Sequence, residues 1–169
     1  MVKQQQVVLI TGASRGFGEA AARELAERGH SVIATMRNPD RDGSGVVEGY
    51  EDRIAVTACD VTSRSSIDAA VAFAVDQHGH IDTLYNNAGY GLYGPVEDLQ
   101  EDEITRQLDT NFTGQIRMAQ AVLPSMREHG GGKIINVSSL AGQIVGPLMG
   151  LYAASKFAVE AMSEALRYE

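Results

Sequence analysis

Three things are scarce in this chain, and each scarcity excludes something. There is a single cysteine, Cys59, which permits neither an intrachain disulfide nor a thiolate metal cluster. Beside a strand end it reads as a buried, inert thiol. His30, His78, His80 and His129 are scattered through polar, turn-like stretches and suggest no metal site. Positive charge is also short: 14 Lys and Arg stand against 22 Asp and Glu, and the net charge of −8 argues against nucleic acid, whose phosphates it would repel. No stretch approaches the roughly 18 consecutive apolar residues of a membrane span. The opening Met1-Val2-Lys3-Gln4-Gln5-Gln6 runs straight into a predicted strand without a signal-peptide layout, so a cytoplasmic protein is expected. What remains is ordinary for a globular domain: 169 residues, 44% hydrophobic and 21% charged, enough for one domain with one real core.

Short apolar runs alternate with helix-period stretches, which predicts a parallel sheet with crossover helices. The strands are expected at Val7–Ile10, Ser31–Met36, Ile54–Ala58, Thr83–Asn86 and Lys133–Ser138. A helix is expected from Gly16 to Arg28, packing through Ala20, Ala21, Leu25 and Ala26 and stopped by Gly29. The polar stretch from Asn38 to Asp52 reads mostly as loop, and Ser65 to His78 as a helix. A long helix is expected from Glu101 to Glu128, burying Ile104, Leu108, Phe112, Ile116 and Met126, with Pro124 kinking it or opening its final turns. The acidic run Glu97–Glu103 reads as its cap. The last helix carries Tyr152.

Chemistry concentrates in two places. Tyr152 and Lys156 are four apart, so on a helix they share one face and can meet over one ligand. A phenol with a reference pKa near 10 is a poor acid or base at neutral pH, and a neighbouring ammonium favours the phenolate. Bringing such a group to about 7 takes roughly 4 kcal/mol, at about 1.36 kcal/mol per unit. The pair therefore reads as a tuned acid/base. The second place is Thr11-Gly12-Ala13-Ser14-Arg15-Gly16-Phe17-Gly18, between the first strand and a helix N-terminus, where a doubly wound fold holds phosphate. Gly12 suits the tight turn, Gly16 the approach of a pyrophosphate and Gly18 close helix–strand packing. About 20 residues on, an NAD site wants a carboxylate for the ribose hydroxyl. Strand two ends instead in Thr35-Met36-Arg37-Asn38. Arg37, with Arg15 opposite, suits a 2′-phosphate, so NADP(H) is expected over NAD(H).

Together these features resemble the classical short-chain dehydrogenase/reductase family over nearly the whole chain. Thr11 to Gly18 looks like its TGxxxGxG loop, and Asn86-Asn87-Ala88-Gly89 like its NNAG motif. Asp60-Val61 resembles its adenine-side pair. Asn111, Ser139, Tyr152 and Lys156 fall where the family carries its catalytic tetrad, Ser139 being 13 residues before Tyr152. Tyr90 to Pro95 and the Ser139 strand resemble the 17β-hydroxysteroid and retinol dehydrogenase branch. The resemblance implies a Rossmann-like doubly wound α/β sheet with helices on both faces. It implies hydride exchange between NADP(H) and a small carbonyl or secondary alcohol. Tyr152 would move the proton, Lys156 would tune it and hold the ribose, and Ser139 would bind the substrate oxygen. Asn111 would hold a water linking Lys156 to solvent, and Asn87, Ala88 and Gly89 would pass close under the cofactor.

Family members continue past the tyrosine helix with two more strands and a substrate-covering loop, whereas this sequence stops at Arg167-Tyr168-Glu169. The fifth strand, Ile134-Ile135-Asn136-Val137, reads as interior, so either a longer natural chain or another cover for its edge is expected. The rival to an active enzyme is a cofactor-binding module without turnover. An NAD-linked epimerase or dehydratase fits the glycine spacing and NNAG less well. A homodimer or homotetramer is expected through Met118, Val122, Met162 and Leu166 on two outward helix faces.

Overall fold

A computed structural model describes residues 5–169. The leader reading rests mainly on Met1 to Gln4, which lie outside the described residues. The strands are β1 (Val7–Thr11), β2 (Ser31–Met36), β3 (Ile54–Ala58), β4 (Thr83–Asn86) and β5 (Lys133–Asn136). They pair side by side, all parallel, in the order β3-β2-β1-β4-β5. Successive side chains of a strand point to opposite faces, and β1 supplies both. Leu9 joins Ile33 and Leu84 on one face, while Val8 and Ile10 join Val32 and Ala34 on the other. A parallel sheet covered on both sides explains why β1 and β2 are buried throughout and largely apolar rather than alternating.

Helix α1 (Gly16–Glu27) lies over the Val8 face. Its packing stripe is Gly18, Ala22 and Ala26 with Ala21 and Leu25 at its side, and Ala20, expected inward, is exposed. The stretch read as loop after β2 holds two short helices, α2 (Pro39–Asp42) and α3 (Ser44–Val47), the second burying Val46. Helix α4 (Arg64–His78) starts at Ser63, whose hydroxyl accepts from Ser66 N, and stops at Gly79. The long helix is α5 (Glu101–Leu108), a π-helical turn Asp109–Thr113 and α6 (Gly114–Glu128). Its cap is as expected, with Gln100 N donating to the Glu103 carboxylate. Pro124 sits inside α6, which continues to Glu128. Helix α7 (Gly150–Tyr168) completes the chain and ties to β5 through Asn136 Nδ2, which donates to Ser163 Oγ. No helix among the described residues is long and apolar enough to cross a membrane.

Two expectations fail on this helix. Its buried face is Gln107, Asn111, Gln115, Met118, Val122 and Met126, while Ile104, Leu108, Phe112 and Ile116 are only half-buried. Met118 and Val122 were expected to face a partner, yet both are fully buried in the core cluster between α4, α6 and the sheet. The fifth strand is also shorter than expected and an edge: β5 pairs only with β4, and Ile135 is 40% exposed. Because β1 has β2 on one side and β4 on the other, the chain reverses direction across the sheet there. The carboxyl ends of β1 and β4 therefore flank a crevice, the usual ligand position in such folds.

Candidate active site

The crevice is built by two loops that lock together. After β1, Gly12 takes φ +67°, and a Cβ there would lie 2.9 Å from Ala88 Cα. A Cβ on Gly18 would come 2.6 Å from Asn87 Nδ2, so only glycine lets α1 sit this close. Thr11, buried at the end of β1, accepts at Oγ1 from Asn87 N and Ala88 N, both at 3.0 Å. Asn87 Nδ2 returns two bonds, to Thr11 O at 3.0 Å and Gly12 O at 3.1 Å. Thr11 is the residue that motif reading passes over, although it opens the TGxxxGxG loop and is a buried polar group that needs a partner. Gly16 behaves differently, since a Cβ there would meet nothing within 4 Å and the space before it is open.

That space is part of a cleft of about 1020 Å³. Gly12, Ser14, Arg15, Gly16, Phe17, Arg37, Asp60, Val61, Asn87, Ala88, Gly89, Ser139, Tyr152 and Lys156 all line it. Gly18 and Asn111 stand behind its wall. At one end Arg15 and Arg37 are exposed. Their charges reach Asp42, whose carboxyl is held below the usual range first by its hydrogen bond to Arg41 and then by these cations. Burial would raise the Asp60 carboxyl, but bonds from the Thr62 hydroxyl and N–H, with the Arg37 charge, bring it below its ordinary value. Cys59, in the floor, is buried as expected, and desolvation pushes its thiol up to about 11.

At the other end stand Ser139, Tyr152 and Lys156. Lys156 is 4% exposed and donates from Nζ to Val137 O at 2.8 Å. Burial lowers its pKa. Its ammonium lies 5.9 Å from the Tyr152 ring centroid, at the outer reach of a cation–π contact. The Tyr93 ring lies tilted beside that of Tyr152, with centroids 5.7 Å apart. Ser139 Oγ accepts from Ala141 N, whereas the Ser138 hydroxyl is buried without a partner beside Gly142. Asn111 is wholly buried inside the π-helical turn. Its Oδ1 accepts from Tyr90 N at 3.0 Å, and its Nδ2 donates to Tyr90 O at 2.8 Å and Ser155 Oγ at 3.1 Å. The side chain's hydrogen bonds thus clamp the loop after β4. Two neighbours missed in the sequence complete the clamp. Gln107 Nε2 also donates to Tyr90 O, and Ser155 Oγ donates to Tyr152 O.

Chains similar in sequence and fold are known. The short chain dehydrogenase family model matches residues 6–169. A 3-ketodihydrosphingosine reductase from Bacteroides thetaiotaomicron is 44% identical over 166 residues, covering 98% of this chain and 59% of that protein. A short-chain dehydrogenase from Streptomyces avermitilis superposes with a TM-score of 0.91 at 37% identity, over 98% of this chain and 61% of that one. A gluconate 5-dehydrogenase from Burkholderia cenocepacia, solved with NADP and tartrate, gives a TM-score of 0.90 at 30% identity, over 98% and 66%. The chain spans about three fifths of the length of the curated relatives it matches. With its glycine loop locked to the NNAG turn and its Tyr-Lys pair facing them across the crevice, the chain belongs to the short-chain dehydrogenase family.

Proposed function

We propose that the protein is an NADP(H)-dependent oxidoreductase acting on a carbonyl or secondary alcohol. The observation that carries this reading is the meeting of Ser139, Tyr152 and Lys156 with the open side of the glycine loop in one cleft. The residues fit the cofactor. The space before Gly16 and the start of α1 suits a pyrophosphate on a helix N-terminus. Asp60 and Val61 suit the adenine, and Asn87, Ala88 and Gly89 the nicotinamide side. Arg15 and Arg37, with no carboxylate at the tip of β2, favour a 2′-phosphate. The gluconate 5-dehydrogenase solved with NADP supports the same choice, and the relative named as a reductase supports carbonyl chemistry.

When bound, the nicotinamide supplies or accepts the hydride. The chain's own residues manage the proton and the charge. The Tyr152 hydroxyl donates a proton to the carbonyl oxygen, or takes one from the alcohol in reverse. Ser139 donates a hydrogen bond to the same oxygen and steadies the charge that develops there. Lys156 contributes a fixed positive charge beside the phenol and donors for the cofactor's ribose. Asn111 holds the Tyr90 loop and, through Ser155, the backbone of Tyr152.

Replacing Tyr152 by Phe deletes only the proton-transferring oxygen, so turnover should fall on the order of 10²-fold or more with cofactor affinity nearly intact. Cofactor binding that persists beside unchanged turnover would reject Tyr152 as the acid. Binding without turnover in the parent protein would favour a cofactor-binding module. For the cofactor, fluorescence titration should find NADPH tighter than NADH, and Arg37→Asp should reverse or erase that order. Equal affinities in the parent would reject the assignment to Arg15 and Arg37. We extend the reading to a homo-oligomer, in which the half-buried Met162 and Leu166 of α7 remain available for a contact.

A further inference from the structure

Resting on the reading of the cleft as a dinucleotide site, we infer that Arg106 is a further cofactor-binding residue, whose guanidinium leaves Asp102 to stack on the adenine. No motif singles it out: it lies within the helix whose first turn is Glu101, Asp102 and Glu103. Yet Arg106 lines the cleft, together with Asp109 and Thr110 of the adjoining turn. The other arginines there, Arg15 and Arg37, are assigned to the 2′-phosphate, which leaves Arg106 as a third cation with no role.

The long helix divides its residues between the two ends of the cleft. Gln107 and Asn111, four apart, share a face and bond the backbone of Tyr90, and Asn111 also reaches Ser155 beneath Tyr152. Arg106 and Thr110, also four apart, share the neighbouring face. One turn further on, Gly114 fits against Val61, where a Cβ would lie 2.9 Å from Val61 Cγ2. This second face therefore rises from Val61, which with Asp60 marks the adenine end.

What holds Arg106 is weak. It meets the Asp102 carboxylate at 2.8 Å, but the two side chains are 66% and 69% exposed, and such surface pairs contribute little. Asp109, the acid nearest it in the cleft lining, is already bound by Arg117 at 2.7 Å. A guanidinium is planar and weakly hydrated, and it stacks on the faces of bases as an ammonium cannot. Exchanging one exposed carboxylate for a purine face therefore costs little and gains a contact that solvent screens less.

The test measures binding of NADPH and 2′,5′-ADP to the full protein by calorimetry. All substitutions fall at exposed positions, and thermal melts confirm that each variant folds. Arg106→Leu should weaken both ligands about fivefold or more. Arg106→Lys should be no better, because it keeps the charge and loses the plane. Asp102→Asn should tighten NADPH about two- to threefold by releasing the arginine, and should do nothing in an Arg106→Leu background. Rescue by lysine would overturn the stacking and assign Arg106 to a phosphate. Unchanged nucleotide affinity in Arg106→Leu, or an Asp102→Asn effect that persists without the arginine, would overturn the inference while the dinucleotide reading stands. A parent protein that binds neither ligand would sink both.

Discussion

A buried lysine without a carboxylate partner is the least comfortable residue in this molecule. Lys156 donates to the carbonyl of Val137, but its charge has lost water, and burial lowers its pKa. A depressed folded-state pKa means that the native state releases the proton more readily than the unfolded chain. The associated stability is therefore fully present only above the unfolded value of 10.5 and is lost as pH falls through the folded value. At neutral pH the charged lysine is a net burden on folding, which the role proposed for it in the cleft would account for. Lys156→Met should raise the urea midpoint at pH 7, and the difference from the parent should shrink as pH climbs toward 10.5. The same variant should lose turnover. A lower midpoint at pH 7 would show that the bond to Val137 outweighs the desolvation.

Among the elements, the strands were far more legible in the sequence than the long helix. β2, β3 and β4 begin and end where the sequence predicts them, each a short β-rich run between polar or turn-forming stretches. The helix from Glu101 to Glu128 misleads because its apolar period points to Ile104, Leu108 and Phe112, while the residues it buries there are Gln107 and Asn111. Both are inward because the backbone of Tyr90 satisfies them, a long-range partnership that periodicity cannot register. Spacing and position marked the glycine loop and the Tyr152–Lys156 pair as candidates, and the family resemblance supplied Ser139 and Asn111. The weld between the β1 and β4 loops was not readable, since it depends on one hydroxyl facing residues 76 and 77 positions away. Thr11→Val should leave Asn87 N and Ala88 N unpaired and cost about 2 kcal/mol or more, while Thr11→Ser should restore most of it. Chemical denaturation of the three proteins checks this; equal midpoints for valine and serine would show that the hydroxyl carries little.

For the whole molecule, the question is which apolar surfaces belong to the core. Met118 and Val122 are inside it, packed with Leu84, Ile67 and Met126. Met118→Ala should therefore cost about 2–5 kcal/mol at every protein concentration. A loss that appears only on dilution would instead place Met118 in a contact between chains. The sheet order has one more consequence, and it is kinetic. β1 cannot acquire its neighbour β4 until the chain has closed the long excursion through β2, β3 and α4, so the crevice rests on contacts of high sequence separation. Such contacts form slowly, because loop-closure entropy is spent before they reward it. The crevice is therefore expected to mature late in folding. A nucleotide that fits it would recognise only molecules that have finished, and would draw the folding equilibrium toward them by mass action.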